Sequence, residues 1–451
     1  IVDAYTLVFA VLMLPGGYLG DRIGRRKVLI TGLLGFAVVS SVSAMTTHIT
    51  VLIGLRVLLG ICAALVFPAT LSLISTIFKG TKHHALAVGL WAATAGLGIA
   101  LGPVVGGLLL EHFEWPSLFW INIVIVLPVA GISSFLVPES RSNKLGRFDA
   151  VGMCLAIAAL GLFVGSIIEG PQLGWTTLPV LGGLATSILL AGAFMAWEKR
   201  VDSPMLDLSL FRASNVATCS SAIGLAFFSL FGFTFTITIY FQAVRGYSAL
   251  QAGLAILPFA VVMGACSPLA PVLARRFGTG RCVPFGIALM GIGFWIVSFA
   301  DATNSYWAVM VPAMIFMAMG LAFAQGPATD IILSAAPSDE IGVASGVNDS
   351  IREIGGTIGV AVLGSILTHV YRDQMSTMTS TTPSLSAAGD SIMAAQQIAA
   401  TLPEGSQQTT LRATASDAFL SALHINCLIL TGIMLMASIL IAFRFVHNAR
   451  H

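Results

Sequence analysis

Runs of about 20 mainly apolar residues, the length a helix needs to cross the roughly 30 Å hydrocarbon core of a bilayer, recur through this chain. By that rule about thirteen spans fall near 3–20, 28–45, 50–76, 83–111, 117–137, 150–170, 178–198, 214–242, 250–274, 281–300, 306–335, 343–370 and 416–446. Inside lipid every backbone polar group needs an internal partner, which a helix supplies to itself. The composition leaves little else open. Only 9% of the 451 residues are charged and 57% are hydrophobic, whereas a water-soluble domain carries about 25% charged residues. The predicted fold class is an all-α polytopic membrane protein.

Cations set the orientation, because cytoplasmic loops collect Lys and Arg. One set of alternate loops holds Arg22, Arg25, Arg26, Lys27, Lys79, Lys82, Arg141, Lys144, Arg147, Lys199, Arg200, Arg212, Arg275, Arg276, Arg281, Arg444 and Arg450. The other set holds only Arg245, Arg372 and Arg412. The first set faces the cytoplasm, and residue 1 starts outside. The chain opens on "IVDAYTLVFAVLMLPGGYLG" without a basic leader or a start Met, and one further upstream helix would make fourteen spans. The segment 371–415, rich in Ser, Thr, Gln and Ala, reads as a mobile polar outer loop with a short helix in "SIMAAQQIAATL".

Several function classes fall away. A net charge of +2 gives no reason to expect a nucleic-acid partner. Cys62, Cys154, Cys219, Cys266, Cys282 and Cys427 form no CxxC and read as packing residues. The eight histidines lack HxxxH or HExxH spacing, so no metal is expected. There is no catalytic constellation and no phosphate-binding loop, so neither an enzyme nor a single-chain ATP-driven pump is expected, and no cofactor.

An internal repeat carries more information. "LGDRIGRRK" at 19–27 returns as "LARRFGTGR" at 273–281, and "GPVVGG" at 102–107 has a counterpart in "GGTIGVAVLG" at 355–364. Two parallel halves with two extra helices between them are a transporter signature. The predicted organisation is an N-terminal bundle over 1–137, a two-helix linker over 138–213 and a C-terminal six-helix bundle over 214–446.

With these motifs the chain resembles the major facilitator superfamily, specifically the fourteen-helix drug:proton antiporter-2 family of QacA- and EmrB-like exporters, without its first transmembrane helix. The loop motif G-x-L-[AG]-D-R-x-G-R-[RK] is matched by Gly17, Leu19, Gly20, Asp21, Arg22, Gly24, Arg25 and Arg26. "ALGPVVGG" resembles the antiporter motif, whose residues here are Gly98, Gly102, Pro103, Gly106 and Gly107. Two departures stand out: "RVLLG" has Leu59 where the family has Gln, and "WPS" at 115–117 stands where it has W-R-W. The resemblance implies two six-helix bundles plus two linker helices. It also implies that the Asp21 loop is a cytoplasmic latch, made in one conformation and broken in the other. The cations alone would set topology, but topology needs neither an Asp nor glycines. Gly24 suits a tight turn, and Asp21 can sit on the positive N-terminus of a helix from the other half. Gly98, Gly102 and Gly106, at i, i+4 and i+8, form a stripe along which another helix backbone could approach.

Charges inside spans cost roughly 2.5–3.5 kcal/mol each on insertion scales and are functional candidates by default. Those that stand out are Asp3, Arg56, Asp330, Asp349 and Glu353, with Arg352 beside the last two. Asp349 and Glu353 share a helix face at i, i+4 with Arg352 beside them, so two carboxylates and one cation favour carrying about one proton; a static ion-pair network is the alternative. Asp330 reads as a proton or substrate carboxylate, or as an interfacial residue. Asp3 reads as a partner for Arg56 or as an outer-rim residue, and Arg56 resembles the family's proton-linked fourth-helix Arg. Aromatic and Met side chains such as Trp91, Phe227, Phe231, Phe235, Met314 and Met317 would suit flat cations wherever they face a cavity.

The function expected is a proton-coupled exporter of small hydrophobic, often cationic compounds by alternating access. It would work as a monomer in the bacterial cytoplasmic membrane and be driven by the proton gradient. Export of an endogenous lipid, siderophore or peptide would use the same machinery.

Overall fold

The computed structural model of the chain describes residues 2–142, 147–212, 214–381, 383–403 and 405–448. Among them the architecture is all-α. The helices are α1 (Val2–Ile23), α2 (Arg25–Met45), α3 (Ile49–Ile77), α4 (His84–His112), α5 (Ser117–Leu136), α6 (Ala150–Leu173), α7 (Leu178–Glu198), α8 (Ser214–Ile239), α9 (Ala249–Leu254), α10 (Leu257–Cys266), α11 (Ala270–Phe277), α12 (Thr279–Val297), α13 (Tyr306–Ala335), α14 (Ile341–Thr381), α15 (Ile392–Thr401) and α16 (Ser406–Asn448). Among the described residues thirteen spans are long and apolar enough to cross a membrane. Exposed Leu, Ile, Val and Phe side chains stud their outer faces, as a lipid-facing surface requires.

Helices α1, α2, α3 and α5 form one packed group and α8 to α16 another; α4 belongs to the first in sequence but packs mostly against α9, α10 and α13 of the second, and α6 and α7 form a hairpin between the two groups in sequence. Two seams join the groups: α1 along α14, and α4 along α9 and α10. Close approach at the first seam depends on missing side chains. A Cβ at Gly17 would run into the Gly342 carbonyl, and one at Gly346 into that of Met13. Within the second group α8 and α14 meet in the same way, with Gly359 against the Phe228 carbonyl and Gly355 against that of Gly224. Without a hydrophobic force between helices in lipid, such backbone contact is the main source of packing energy.

Two expectations are corrected. The span over 250–274 is broken into α9, α10 and α11, because Pro258 opens α10 and Pro271 opens α11. A proline lacks an N–H to donate and is tolerated in the first turn of a helix. The segment 371–415 is not a mobile loop. α14 runs on to Thr381, α15 covers Ile392–Thr401, and α16 starts at Ser406. Met375, Leu385, Ala388, Ala395, Ala399 and Leu411 are buried in the core of the second group. Apolar residues scattered through a polar composition thus share one inward side, and the Tyr371 hydroxyl donates to the Ala388 carbonyl at 3.0 Å.

The two glycine seams predict different failures. Gly359→Val overpacks a seam inside one group and should lower yield and melting temperature, by an amount in the usual range of about 1–3 kcal/mol for overpacking. Gly17→Val overpacks the seam between groups, so the protein should stay folded but open toward the cytoplasm. Alkylation of a cysteine placed at Ser338 should then rise for Gly17→Val and not for Gly359→Val.

Candidate functional site

The short turn between α1 and α2 holds its shape through Gly24, whose φ of 124° is a conformation that side-chain-bearing residues rarely adopt; a Cβ there would also strike the Glu139 carboxylate. The turn is pinned from behind by the strand of chain leaving α5. The Arg25 N–H donates to the Ser140 carbonyl at 2.8 Å, and the Ser142 N–H to the Asp21 carbonyl at 2.7 Å. The Arg26 N–H donates to Glu139 Oε1 at 3.1 Å.

Held this way, the Asp21 carboxylate reaches the other group. Its Oδ1 accepts the Gly342 N–H at 3.0 Å and its Oδ2 the Val343 N–H at 2.9 Å. These are orphan amides of the first turn of α14, where the helix dipole favours an anion. Arg25 Nε donates to the same carboxylate at 2.8 Å, and both side chains are buried. Arg25 also reaches the Ser338 carbonyl at 3.2 Å. Arg22 points elsewhere, donating to the Tyr18 hydroxyl at 2.7 Å and lying over the Tyr18 and Phe148 rings. Further bonds cross at the same end: Lys79 Nζ to Ser338 Oγ at 2.7 Å, and His84 Nδ1 to Asp330 Oδ1 at 2.9 Å. Asp330 is therefore a cross-group partner of His84, which also meets Ser75 through Nε2 at 3.0 Å. His84 has no metal-ligand spacing and no other local signal that marks it in the sequence. Arg275, the repeat's counterpart of Asp21, makes one long contact, 3.4 Å to the Lys82 carbonyl.

A polar centre lies farther along α14. Asp349 is fully buried; its Oδ1 accepts from Asn348 Nδ2 at 3.1 Å and stands 3.6 Å from Arg352 NH1. Asn348 is held in turn by the Thr329 hydroxyl at 3.1 Å. Arg352 is caged by aromatic rings from both groups, with Phe227 at 4.3 Å, Trp91 at 4.9 Å and Phe67 at 5.8 Å from its guanidinium carbon. These rings hold the protein's own cation, a role that aromatic content alone did not reveal. Asp349 Oδ2, Arg352 NH1 and both amide atoms of Gln325 are buried without a hydrogen-bond partner.

One turn beyond Asp349, Glu353 is half-buried and forms part of the wall of a cavity of about 620 Å³. Tyr5, Thr6 and Phe9 of α1, Pro171 and Gln172 of α6, Phe231 and Phe235 of α8, and Thr357 and Thr368 of α14 line it. The cavity extends toward the end of α14 from which the cation-poor loops project. The two carboxylates, neighbours on one helix, thus sit in different surroundings: Asp349 in packed protein, Glu353 against open space.

Other candidates are placed differently from expectation. Gly98 and Gly102 face open space, and Gly106 meets only a Leu118 methyl. Helix contact on α4 is made instead by Gly107 against Leu250 and by Pro103 against Gly253. The stripe was right in spacing and wrong in side, since the neighbour α9 approaches about one residue farther round the helix. Arg56 forms no ion pair among the described residues and lies over the Phe119 ring at 5.0 Å with its Nε unpartnered. The side chain of Asp3 lies outside the described residues, as do Lys144 and Arg450. No cluster of three or more His, Cys, Asp or Glu suited to a metal occurs among the described residues.

A helical, membrane-crossing chain with two packed groups, a shut cytoplasmic end and an aromatic, carboxylate-bearing cavity is the framework of a transporter. The description "Major Facilitator Superfamily" matches residues 1–360, and the chain belongs to that family. It is 34% identical to the multidrug efflux pump LfrA of Mycolicibacterium smegmatis over 99% of this chain and 88% of that protein. It is 34% identical to the methyl viologen resistance protein SmvA of Salmonella typhimurium, over 82% and 75%. With the tetracenomycin C resistance and export protein of Streptomyces glaucescens the identity is 32% over 81% and 68%. The human organic anion transporter MFSD10 (TETRAN) superposes with a TM-score of 0.60 at 15% identity over 95% of this chain and 82% of that one, a likeness of fold. The chain is a transporter of the multidrug-resistance type in the bacterial inner membrane, not an enzyme.

The unequal contacts of the two repeat loops predict unequal mutants. Asp21→Asn removes the charge that faces α14 and Arg25, so it should preserve expression and lose most transport. Arg275→Ala removes one long bond and should retain most of it. Efflux assays in inverted vesicles, normalised to protein level, compare the two.

Proposed function

We propose that this chain is a proton-coupled efflux antiporter of the drug:proton antiporter-2 type, exporting hydrophobic, often cationic compounds by alternating access. The observation that carries the reading is the placement of Glu353, in the wall of an aromatic-lined cavity and one turn from the buried Asp349–Arg352 pair. When all three groups are ionised they carry one net negative charge, which is expensive at membrane depth. One proton cancels it, and so does one cationic substrate in the cavity. The two compete for the same compensation, which is the requirement for exchange. Phe9, Phe231, Phe235 and Tyr5 offer the flat faces that attract a lipophilic cation. Relatives named for resistance to methyl viologen and for multidrug efflux support that substrate class.

In this reading the Asp21 contacts are the latch in its made state, and the cavity is the arrangement that releases substrate outside; the bonds across the cytoplasmic end support it. Protons arriving there displace the cation; the latch then opens toward the cytoplasm, where the proton leaves. In this scheme Gly17, Asp21, Gly24 and Arg25 form the latch, with Arg22 and Arg26 bracing it. The Pro103–Gly107 stretch of α4 is the second seam.

Glu353→Gln is neutral whether or not a proton is available. It should still bind some substrates but lose pH-driven turnover by about tenfold or more, a change of about 1.4 kcal/mol or more. Asp349→Asn should weaken dications more than monocations. The test is proton release on adding ethidium or methyl viologen to detergent-purified protein. Release should vanish in the Asp349→Asn, Glu353→Gln double variant, and undiminished release would move the coupling site elsewhere.

A further inference from the structure

A second pair of buried carboxyl groups lies in the linker hairpin, away from the cavity and outside the proposed coupling chemistry. Asp149 precedes α6 and Glu198 ends α7; both are at least nine-tenths buried. Each has one oxygen fully engaged. Asp149 Oδ1 caps α6 by accepting the Gly152 N–H at 2.8 Å and also accepts Trp197 Nε1 at 2.9 Å. Glu198 Oε2 accepts the Leu206 N–H at 3.2 Å. The remaining oxygens, Asp149 Oδ2 and Glu198 Oε1, are both buried with no donor. They converge: a Cβ built on Gly152 would strike both at once, so the two oxygens face the same point.

Among the described residues no cation pairs with either carboxyl group to keep both ionised. Leu14, Tyr18, Ala156, Phe194, Met205, Leu206, Val343 and Val347 form an apolar cluster around this end of the hairpin. On α1 the nearest cation, Arg22, donates to the Tyr18 hydroxyl, which in turn accepts the Asp149 N–H at 3.1 Å. Arg147, Lys199 and Arg200 beside the pair in sequence are exposed, as are Asp202 and Asp207 on the following segment. Asp339 and Glu340, just before α14, line a neighbouring polar cavity with Tyr18, Asp21, Arg22, Arg147 and Met205. Among the described residues no Lys or Arg pairs with either carboxylate. Two facing carboxylates without a cation repel and leave two acceptors unsatisfied in an apolar site, a cost of the kind that protein interiors avoid. A single proton removes both problems, since one oxygen then donates to the other.

We propose that Asp149 and Glu198 form a proton-binding site, holding one proton between Asp149 Oδ2 and Glu198 Oε1. It is distinct from the cavity carboxylates. Through Asp149 and Tyr18 it fastens the linker hairpin to α1 one turn before the Asp21 latch.

Amide substitution tests the shared proton directly, because Asn or Gln carries a permanent donor in the place of the protonated oxygen. D149N keeps the capping oxygen and presents an NH2 to Glu198; E198Q presents one to Asp149. Either alone should leave the melting temperature of the detergent-purified full chain close to wild type. The double variant D149N/E198Q sets two NH2 groups face to face with no acceptor between them. It should therefore lose several degrees more than the sum of the singles, a coupling expected only of groups in direct contact. The wild type, whose folded state retains a proton that the unfolded chain gives up in neutral buffer, should melt lower as buffer is raised from about pH 6 to about pH 9. E198Q should lose that dependence. Single variants as damaged as E198A, or a double variant that is merely additive, would overturn the proposal. Neither readout depends on transport, so the result stands apart from the antiport reading.

Discussion

One carboxylate on two backbone amides organises the cytoplasmic half of this molecule. Asp21 lies against the first turn of α14, where two N–H groups have no helical acceptor and the dipole is positive. The contact bridges the two helix groups, and its other side is occupied by Arg25, whose guanidinium is almost wholly buried. Removing the acid would leave that cation uncompensated while the cytoplasmic end is shut, a cost the chain escapes by opening there and letting Arg25 reach water. The Gly24 turn and the main-chain bonds to Ser140 and Ser142 exist to aim this one group.

The helix that receives the latch also carries the polar centre. From Gly342 to Glu353 is eleven residues, a rise of about 16 Å along one rigid helix. Asp349 and Arg352 sit where that helix is packed, and Glu353, one turn farther along and on nearly the same face as Asp349, sits where it lines the cavity. A change of charge in the cavity is therefore imposed on the same rod whose end is held by Asp21. The glycine seams allow such a rod to shift: backbone packed on backbone has no interdigitated side chains to unlock, only a surface to slide along.

The linker hairpin belongs to this arrangement rather than sitting outside it. Its cytoplasmic end touches α1 through Tyr18, and its outer end touches α14 where Trp175 Nε1 donates to Ser365 at 3.0 Å. Between those points Pro171 and Gln172 contribute to the cavity wall. The hairpin thus spans the boundary along which the two groups would part.

Spans, orientation, the Gly24 turn and the identity of the inward charges were legible in the sequence. Each depends on local quantities: run length against bilayer thickness, loop cations, one backbone angle, the cost of a charge in lipid. What covers each face was not legible. Gly98 and Gly102 have the spacing of a contact stripe, but α9 meets α4 at Pro103 and Gly107 instead. The polar segment after α14 looked like loop because its burial comes from scattered apolar residues that share a side only once folded. His84 meets Asp330 from 246 positions away, and Trp91 and Phe67 meet Arg352 across similar separations. The sequence alone determined a many-helix membrane protein with its cations gathered in alternate loops, a glycine turn carrying Asp21 and a handful of costly charges. Tertiary structure decided which charges meet and which face open space, because helices in lipid choose partners by shape and hydrogen bonding, and neither is written in the hydropathy of any one helix.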